Sequence, residues 1–166
     1  GHVHREPADI PGIGRFAVVS DPGGASFILF KPNSTEQPAK VEPGTLGHIG
    51  WRELHAWDEA QAWKFYAEFF GWKQTGVFDM GPMGNYRLFS TDGISEQGGI
   101  MTKTADMPQT TWLYYFNVDG VDAAAERVKS AGGQVLMGPA EVPGGMWRLQ
   151  VLDPHGKMFG LLASKR

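Results

Sequence analysis

Apolar and polar positions along this chain follow two periods in a recurring order. Between residues 59 and 71, Ala62, Phe65, Tyr66 and Phe69 recur at the helical spacing, and Val121, Ala124, Ala125 and Val128 repeat that spacing between 120 and 132. An apolar, strand-like stretch precedes each helix. Three further strand-like segments follow each, near 74–80, 85–91 and 97–102 in the first case and near 134–138, 146–152 and 157–163 in the second. Asp58 with Gln61 has the spacing of a capping box, and Gly71 and the pair Gly132-Gly133 stand where helix C-caps are expected. The pattern predicts two similar halves offset by 62 residues, each a strand, a helix and three strands.

A second repeat has a longer offset. Pro11, Gly12, Val19, Asp21, Pro22, Gly24, Phe27 and Leu29 recur 132 positions later as Pro143, Gly144, Val151, Asp153, Pro154, Gly156, Phe159 and Leu161. Each copy reads as a strand, an Asp-Pro-x-Gly turn and a strand. Residues 8–32 are therefore expected to be a hairpin equivalent to the closing hairpin of the second half. The expected organisation is the terminal hairpin of a truncated preceding domain in 1–32, a polar, proline-containing linker in 33–45, and one domain of two halves in 46–166.

Composition narrows the class. The chain has 166 residues, enough for one ordinary domain plus a fragment. It has no cysteine, so disulfides, thiolate zinc sites and thiol catalysis are excluded. The net charge of -3 without a basic run argues against nucleic acid as a partner. No apolar run approaches the length of a membrane span, and a cytoplasmic location is the expectation. The 23 glycines fall at turns between apolar segments rather than in a low-complexity tract, which marks a chain of short elements.

The residues Asp58…Phe65-Tyr66…Phe70-Gly71-Trp72, the run from Val118-Asp119-Gly120 to Ala124, Gly132-Gly133 and Asp153-Pro154-His155-Gly156 resemble, in that order and spacing, the vicinal oxygen chelate superfamily of glyoxalases, bleomycin-resistance proteins and extradiol dioxygenases. Gly98-Gly99-Ile100-Met101 and Trp51-Arg52-Glu53-Leu54 further resemble its two-domain glyoxalase-like members. The resemblance covers 46–163 fully and 8–32 partly. It implies an α+β fold: paired βαβββ modules forming an open eight-stranded cup with helices outside, plus the N-terminal β-hairpin. It also implies a ligand inside the cup. The superfamily's metalloenzymes use His or Gln in the first strand of each half and Glu late in the last. Carried over by position, these sites fall on Trp51, Leu113, Gly160 and the neighbourhood of 99–101. None supplies a nitrogen or oxygen side-chain donor, whereas a divalent site needs three or four. No metal and no other cofactor is expected.

Strand alternation then assigns the cup lining. Trp51, Glu53 and His55 share one face, with Leu54 and Ala56 under the helix. Leu113, Tyr115 and Asn117 face in, as do Met158, Gly160, Leu162, Arg148 and Gln150. Met101 joins the ligand-binding set, and Trp147, Met80, Met83 and Tyr86 are expected at the rim. Glu53 and His55 are candidates for a general acid–base pair, although Glu53 also has Arg52 and Arg148 as structural partners. Trp51 is a stacking platform for a ligand ring or a plug in the vacated metal position. His155 and His48 read as surface residues, and His2 and His4 as a tail. The functional expectation is a metal-independent protein that binds an aromatic or polycyclic small molecule. The alternatives are a glyoxalase-type lyase or isomerase using Glu53 and His55, or a metal-dependent dioxygenase or lyase with other ligands. The hairpin is expected to pair with a neighbouring chain in a homodimer or to cover a sheet edge.

Overall fold

The computed structural model describes residues 1–36 and 39–166; Gln37 and Pro38 of the expected linker lie outside the described residues. The chain divides into two compact units, one of residues 1–40 with 53–112 and one of 41–52 with 113–166.

In the first unit, three antiparallel strands, β1 (His2–Ile10), β2 (Gly14–Ser20) and β3 (Ser26–Pro32), form a sheet in that order. The expected hairpin is β2–β3. The segment expected to be a tail, His2 and His4 included, is instead a third strand paired with β2. Next come β4 (Ile49–Ala56, shared between the units), α1 (Glu59–Phe70), β5 (Lys73–Asp79), β6 (Asn85–Ser90) and β7 (Gly98–Thr102), with sheet order β5-β6-β7-β4. This is the predicted strand, helix and three strands.

Helix α1 begins where Asp58 accepts a 2.8 Å hydrogen bond from the Gln61 amide. That satisfies one of the donors a helix start leaves open. It ends at Gly71, whose φ of 70° is a left-handed cap that costs glycine little. The buried face carries Ala62 and Tyr66 onto Leu54, Ala56, Phe89 and Ile100. Phe69 shares the apolar spacing yet is 60% exposed, stacked on Phe65 rather than set in the core.

The N-terminal hairpin packs on this helix. Phe27 lies within ring-contact distance of Phe65, Tyr66 and Phe70, and Ala25 belongs to the same core. Its Asp-Pro turn is tied down by a buried polar chain. The Trp112 indole N–H donates to the Tyr66 hydroxyl at 3.1 Å, and that hydroxyl donates to Asp21 Oδ2 at 3.1 Å. Asp21 Oδ1 accepts from the Ala25 amide at 2.9 Å.

The second unit repeats the module with β8 (Thr111–Asn117, its first two residues in the first unit), α2 (Val121–Ser130), β9 (Gln134–Val142), β10 (Met146–Leu152) and β11 (Met158–Ala163), in sheet order β8-β11-β10-β9. Strands β8 and β11 run parallel, which requires the helical crossover between them. Val121, Ala124 and Ala125 of α2 pack on Leu149, Val151, Leu161 and Ala163. Asp122 in the first turn of α2 and Arg127 and Lys129 in its last complement the helix dipole. Neither helix is long and apolar enough to cross a membrane.

Candidate functional site

The first unit gathers three polar side chains on β4 and its neighbours. Alternation along β4 sends Leu54 and Ala56 into the core under α1 and Glu53 and His55 to the other face. Two residues apart on that face, these side chains meet. His55 Nε2 stands 2.8 Å from Glu53 Oε1, with the two side chains only 7% and 11% exposed. The approach has ion-pair distance but falls outside hydrogen-bond alignment. His55 Nδ1 is buried with no hydrogen-bond partner among the described residues.

A third member of this cluster is Tyr86, whose hydroxyl donates to Glu53 Oε2 at 2.9 Å. Tyr86, expected at the rim, is half-buried with its hydroxyl on this carboxylate. Its ring lies over Gly99 of the adjoining strand, where a Cβ would come within 2.2 Å of the ring. The available signal was the Gly98-Gly99 pair, a strand position where another group approaches the backbone closely. Met101 is buried on the same strand, directly opposite Tyr86.

The second unit has a matching arrangement on its own closing strand. Tyr115 lies over Gly160, where a Cβ would come within 2.1 Å of the ring. Gln150 Nε2 donates to the Tyr115 hydroxyl at 2.7 Å, and both side chains are buried. Leu113 is buried too, and Trp51 is half-buried. Asn117 is engaged locally: its side-chain amide donates to the Thr45 carbonyl at 3.2 Å, and its backbone bonds to Gly47 and His48. Arg148 reaches Met137 Sδ at 3.4 Å and leaves Nη1 buried without a hydrogen-bond partner. Trp147 is not at a rim. It packs against the core under α2, with the Arg166 guanidinium over its ring.

A shallow groove of about 650 Å³ lies at one end of β8 and β11, walled by Phe116, Val118, Met158, Phe159 and Leu161. Of the predicted ligand-binding residues, Met158 and Asn117 line it, while Tyr115 and Gln150 do not. At its edge Asp119 pairs with Arg127 at 3.0 Å, and that guanidinium holds the carboxyl below the usual range.

The superfamily's divalent metal does not fit these residues. Its carried-over positions present an indole, an isobutyl group and a glycine covered by a phenol ring. Among the described residues no three His, Cys, Asp or Glu side chains gather in metal-binding geometry.

The sequence profile of the Glyoxalase/Bleomycin resistance protein/Dioxygenase superfamily matches residues 45–161. A Mycobacterium tuberculosis protein named "Putative glyoxylase CFP32" is 34% identical over 164 residues, 98% of this chain and 60% of that protein. The Streptomyces anthracycline biosynthesis protein DauV is 33% identical over 167 residues, 98% of this chain and 57% of that protein. The chain thus spans about three fifths of the length of these curated relatives. Among solved structures, the Mn(II)-bound glyoxalase from Novosphingobium aromaticivorans matches with a TM-score of 0.66 at 19% identity, covering 99% of this chain and 55% of that one. A Streptomyces coelicolor methylmalonyl-CoA epimerase matches with a TM-score of 0.55 at 18% identity, covering 74% and 100%. At these identities the structures establish a shared fold.

Proposed function

The chain belongs to the Glyoxalase/Bleomycin resistance protein/Dioxygenase superfamily, and from that premise we propose that it binds a small aromatic or polycyclic molecule without a metal at the superfamily's usual positions. The observation that carries this reading is Tyr115 over Gly160, with its hydroxyl held by Gln150. The buried Tyr115 ring fills the space over the position where the resemblance would put a metal-binding carboxylate, and half-buried Trp51 is the aromatic surface that the same unit offers a ligand. An aromatic surface beside polar groups suits a planar ligand. The name of DauV, an anthracycline biosynthesis protein, supports a polycyclic ligand class.

The test is melting of the purified chain against a panel of anthraquinones and anthracyclines, with and without EDTA. A ligand at a hundred times its Kd stabilises by about 2.7 kcal/mol, and EDTA is expected to leave that gain unchanged. No shift with any compound, or a shift that EDTA removes, defeats the reading.

A second reading rests on Glu53, His55 and Tyr86. An imidazole whose Nε2 lies 2.8 Å from a carboxylate, with Nδ1 buried and without a hydrogen-bond partner among the described residues, would take a proton at Nδ1 and return it to a ligand that reaches that atom. Tyr86 would keep Glu53 oriented. This arrangement suits a lyase or isomerase of glyoxalase type. Turnover of a bound ligand that Glu53→Gln abolishes supports it; turnover indifferent to Glu53→Gln and His55→Gln removes it.

A further inference from the structure

Two histidines lie together on an exposed sheet edge. Strand β1 is an outer strand of the β1-β2-β3 sheet, paired with β2 on one side and without a sheet neighbour on the other among the described residues. His2 and His4 stand two apart on it, so alternation puts both imidazoles on one face. Both residues are exposed, and their ring centres lie 5.3 Å apart. The strand itself does not call for histidine, since the positions 132 later on β9 are Gln134 and Leu136.

That separation suits a shared metal ion. Two imidazoles on one tetrahedral zinc, each bound at about 2.0–2.1 Å, have ring centres about 5 Å apart. Imidazole is a ligand for ions of the zinc class. One chain supplies two donors, whereas a closed site takes four, and among the described residues no third His, Cys, Asp or Glu joins the pair. The free edge can bring the other two from a second copy. In an antiparallel pair of β1 strands centred on Val3, His2 of each copy stands directly opposite His4 of the other. Directly opposite residues project to the same face with Cβ atoms about 4.5–5.5 Å apart. All four imidazoles then converge on one point, and the two-fold arrangement closes on itself.

We propose that a divalent cation of the zinc class joins two copies of this chain through His2 and His4 of each, with β1 paired antiparallel on β1 about Val3. The backbone edge sets the register, and the register brings the four ligands together. The ion makes the pairing conditional. The side chains of β1 are mostly exposed and polar, so the edges bury little apolar surface against each other and depend on the metal–nitrogen bonds to stay joined. This site is separate from the superfamily's metal positions, which fall on Trp51, Leu113 and Gly160 and supply no donor.

The test is sedimentation of the whole chain with zinc chloride. Without zinc the species is expected at the chain mass of 18.2 kDa. Half an equivalent of zinc per chain is expected to double that mass, and EDTA to reverse the change. His2→Ala and His4→Ala are each expected to weaken the zinc-driven dimer at least tenfold, and His155→Ala to leave it unchanged. Both β1 histidines are exposed, so neither substitution removes a core contact, and circular dichroism checks that each variant is folded. Hydrogen exchange in β1 is expected to slow when zinc is added. No zinc binding, zinc bound one per chain without a change of mass, or a dimer that forms without zinc overturns the proposal. So does a zinc-driven dimer that survives His4→Ala or that leaves exchange in β1 unchanged.

Discussion

The phenol ring of Tyr115 fills the space that a side chain at Gly160 would need, at 2.1 Å from the position of a Cβ. The two residues are one feature: the glycine admits the ring, and the ring excludes every larger residue. Tyr86 and Gly99 make the same arrangement within the other unit. In each case the hydroxyl is anchored by a buried polar side chain, Gln150 for Tyr115 and Glu53 for Tyr86.

This coupling predicts a non-additive pair of substitutions. Gly160→Ala forces a Cβ into the ring and is expected to cost about 1–3 kcal/mol, as overpacking does. In a Tyr115→Ala background the obstruction is gone, and the same change should cost at least about 1 kcal/mol less. Urea unfolding of the four proteins measures it. Equal costs in both backgrounds would show that the backbone relaxes around the methyl group.

Tyr86→Phe tests the charge of its partner. Removing the hydroxyl takes a donor from buried Glu53 Oε2, at an expected cost of about 1–3 kcal/mol. Hydrogen bonds to an ionised acceptor are roughly twice as strong as neutral ones. The loss should therefore be smaller when Glu53 is already Gln. If Tyr86→Phe costs the same in both backgrounds, Glu53 is not ionised in the folded chain.

How far these features can be read from residue order depends on how much of each is periodic burial. The modules were readable because α1, α2, β4 and β8 bury one face and so imprint their period on the sequence. Strand β1 left no such mark. Its side chains are mostly exposed on both faces, so His2–Ile10 carries no alternation, and only the 132-residue repeat of its neighbours points to it. The meeting of Glu53 and His55 follows from alternation on one strand, whereas Tyr86 reaches Glu53 from β6 across Gly99. That contact depends on sheet order and a missing Cβ, neither of which the spacing of Tyr86 reports.

The turn carboxylates contribute to the acid limb of stability. Asp153 is held below its ordinary pKa by the Lys157 and His155 amides, and Asp92 by those of Ile94 and Ser95 together with the Ser90 hydroxyl. A depressed folded pKa contributes stability above the unfolded value, about 3.9 for Asp, and loses it as pH falls through the folded value. Stability from these groups should therefore be flat from neutral pH down to about 5 and decline below about 4. Asp153→Asn is expected to lower stability at pH 7 and to flatten the decline between pH 4 and pH 2. A variant with an unchanged acid slope would show that other carboxylates control it.

The last prediction concerns how the hairpin is held to the first module. The Tyr66 hydroxyl is the one atom that both accepts from Trp112 and donates to Asp21, and Tyr66 and Asp21 are almost fully buried. Tyr66→Phe keeps the ring contacts with Phe27 and Trp72 but leaves the Trp112 indole N–H and Asp21 Oδ2 without this partner. Each buried group so stranded is expected to cost about 1–3 kcal/mol. The loss should be local before it is global, because the Ala25 amide depends on the same Asp21 carboxylate. Hydrogen exchange at 25–27 should therefore accelerate more than exchange in β10. Uniform acceleration, or stability within about 0.5 kcal/mol of the parent, would mean that this polar chain does not hold the hairpin and that its other contacts, the Phe27 and Ala25 packing and the Thr110–Gly23 hydrogen bond, do.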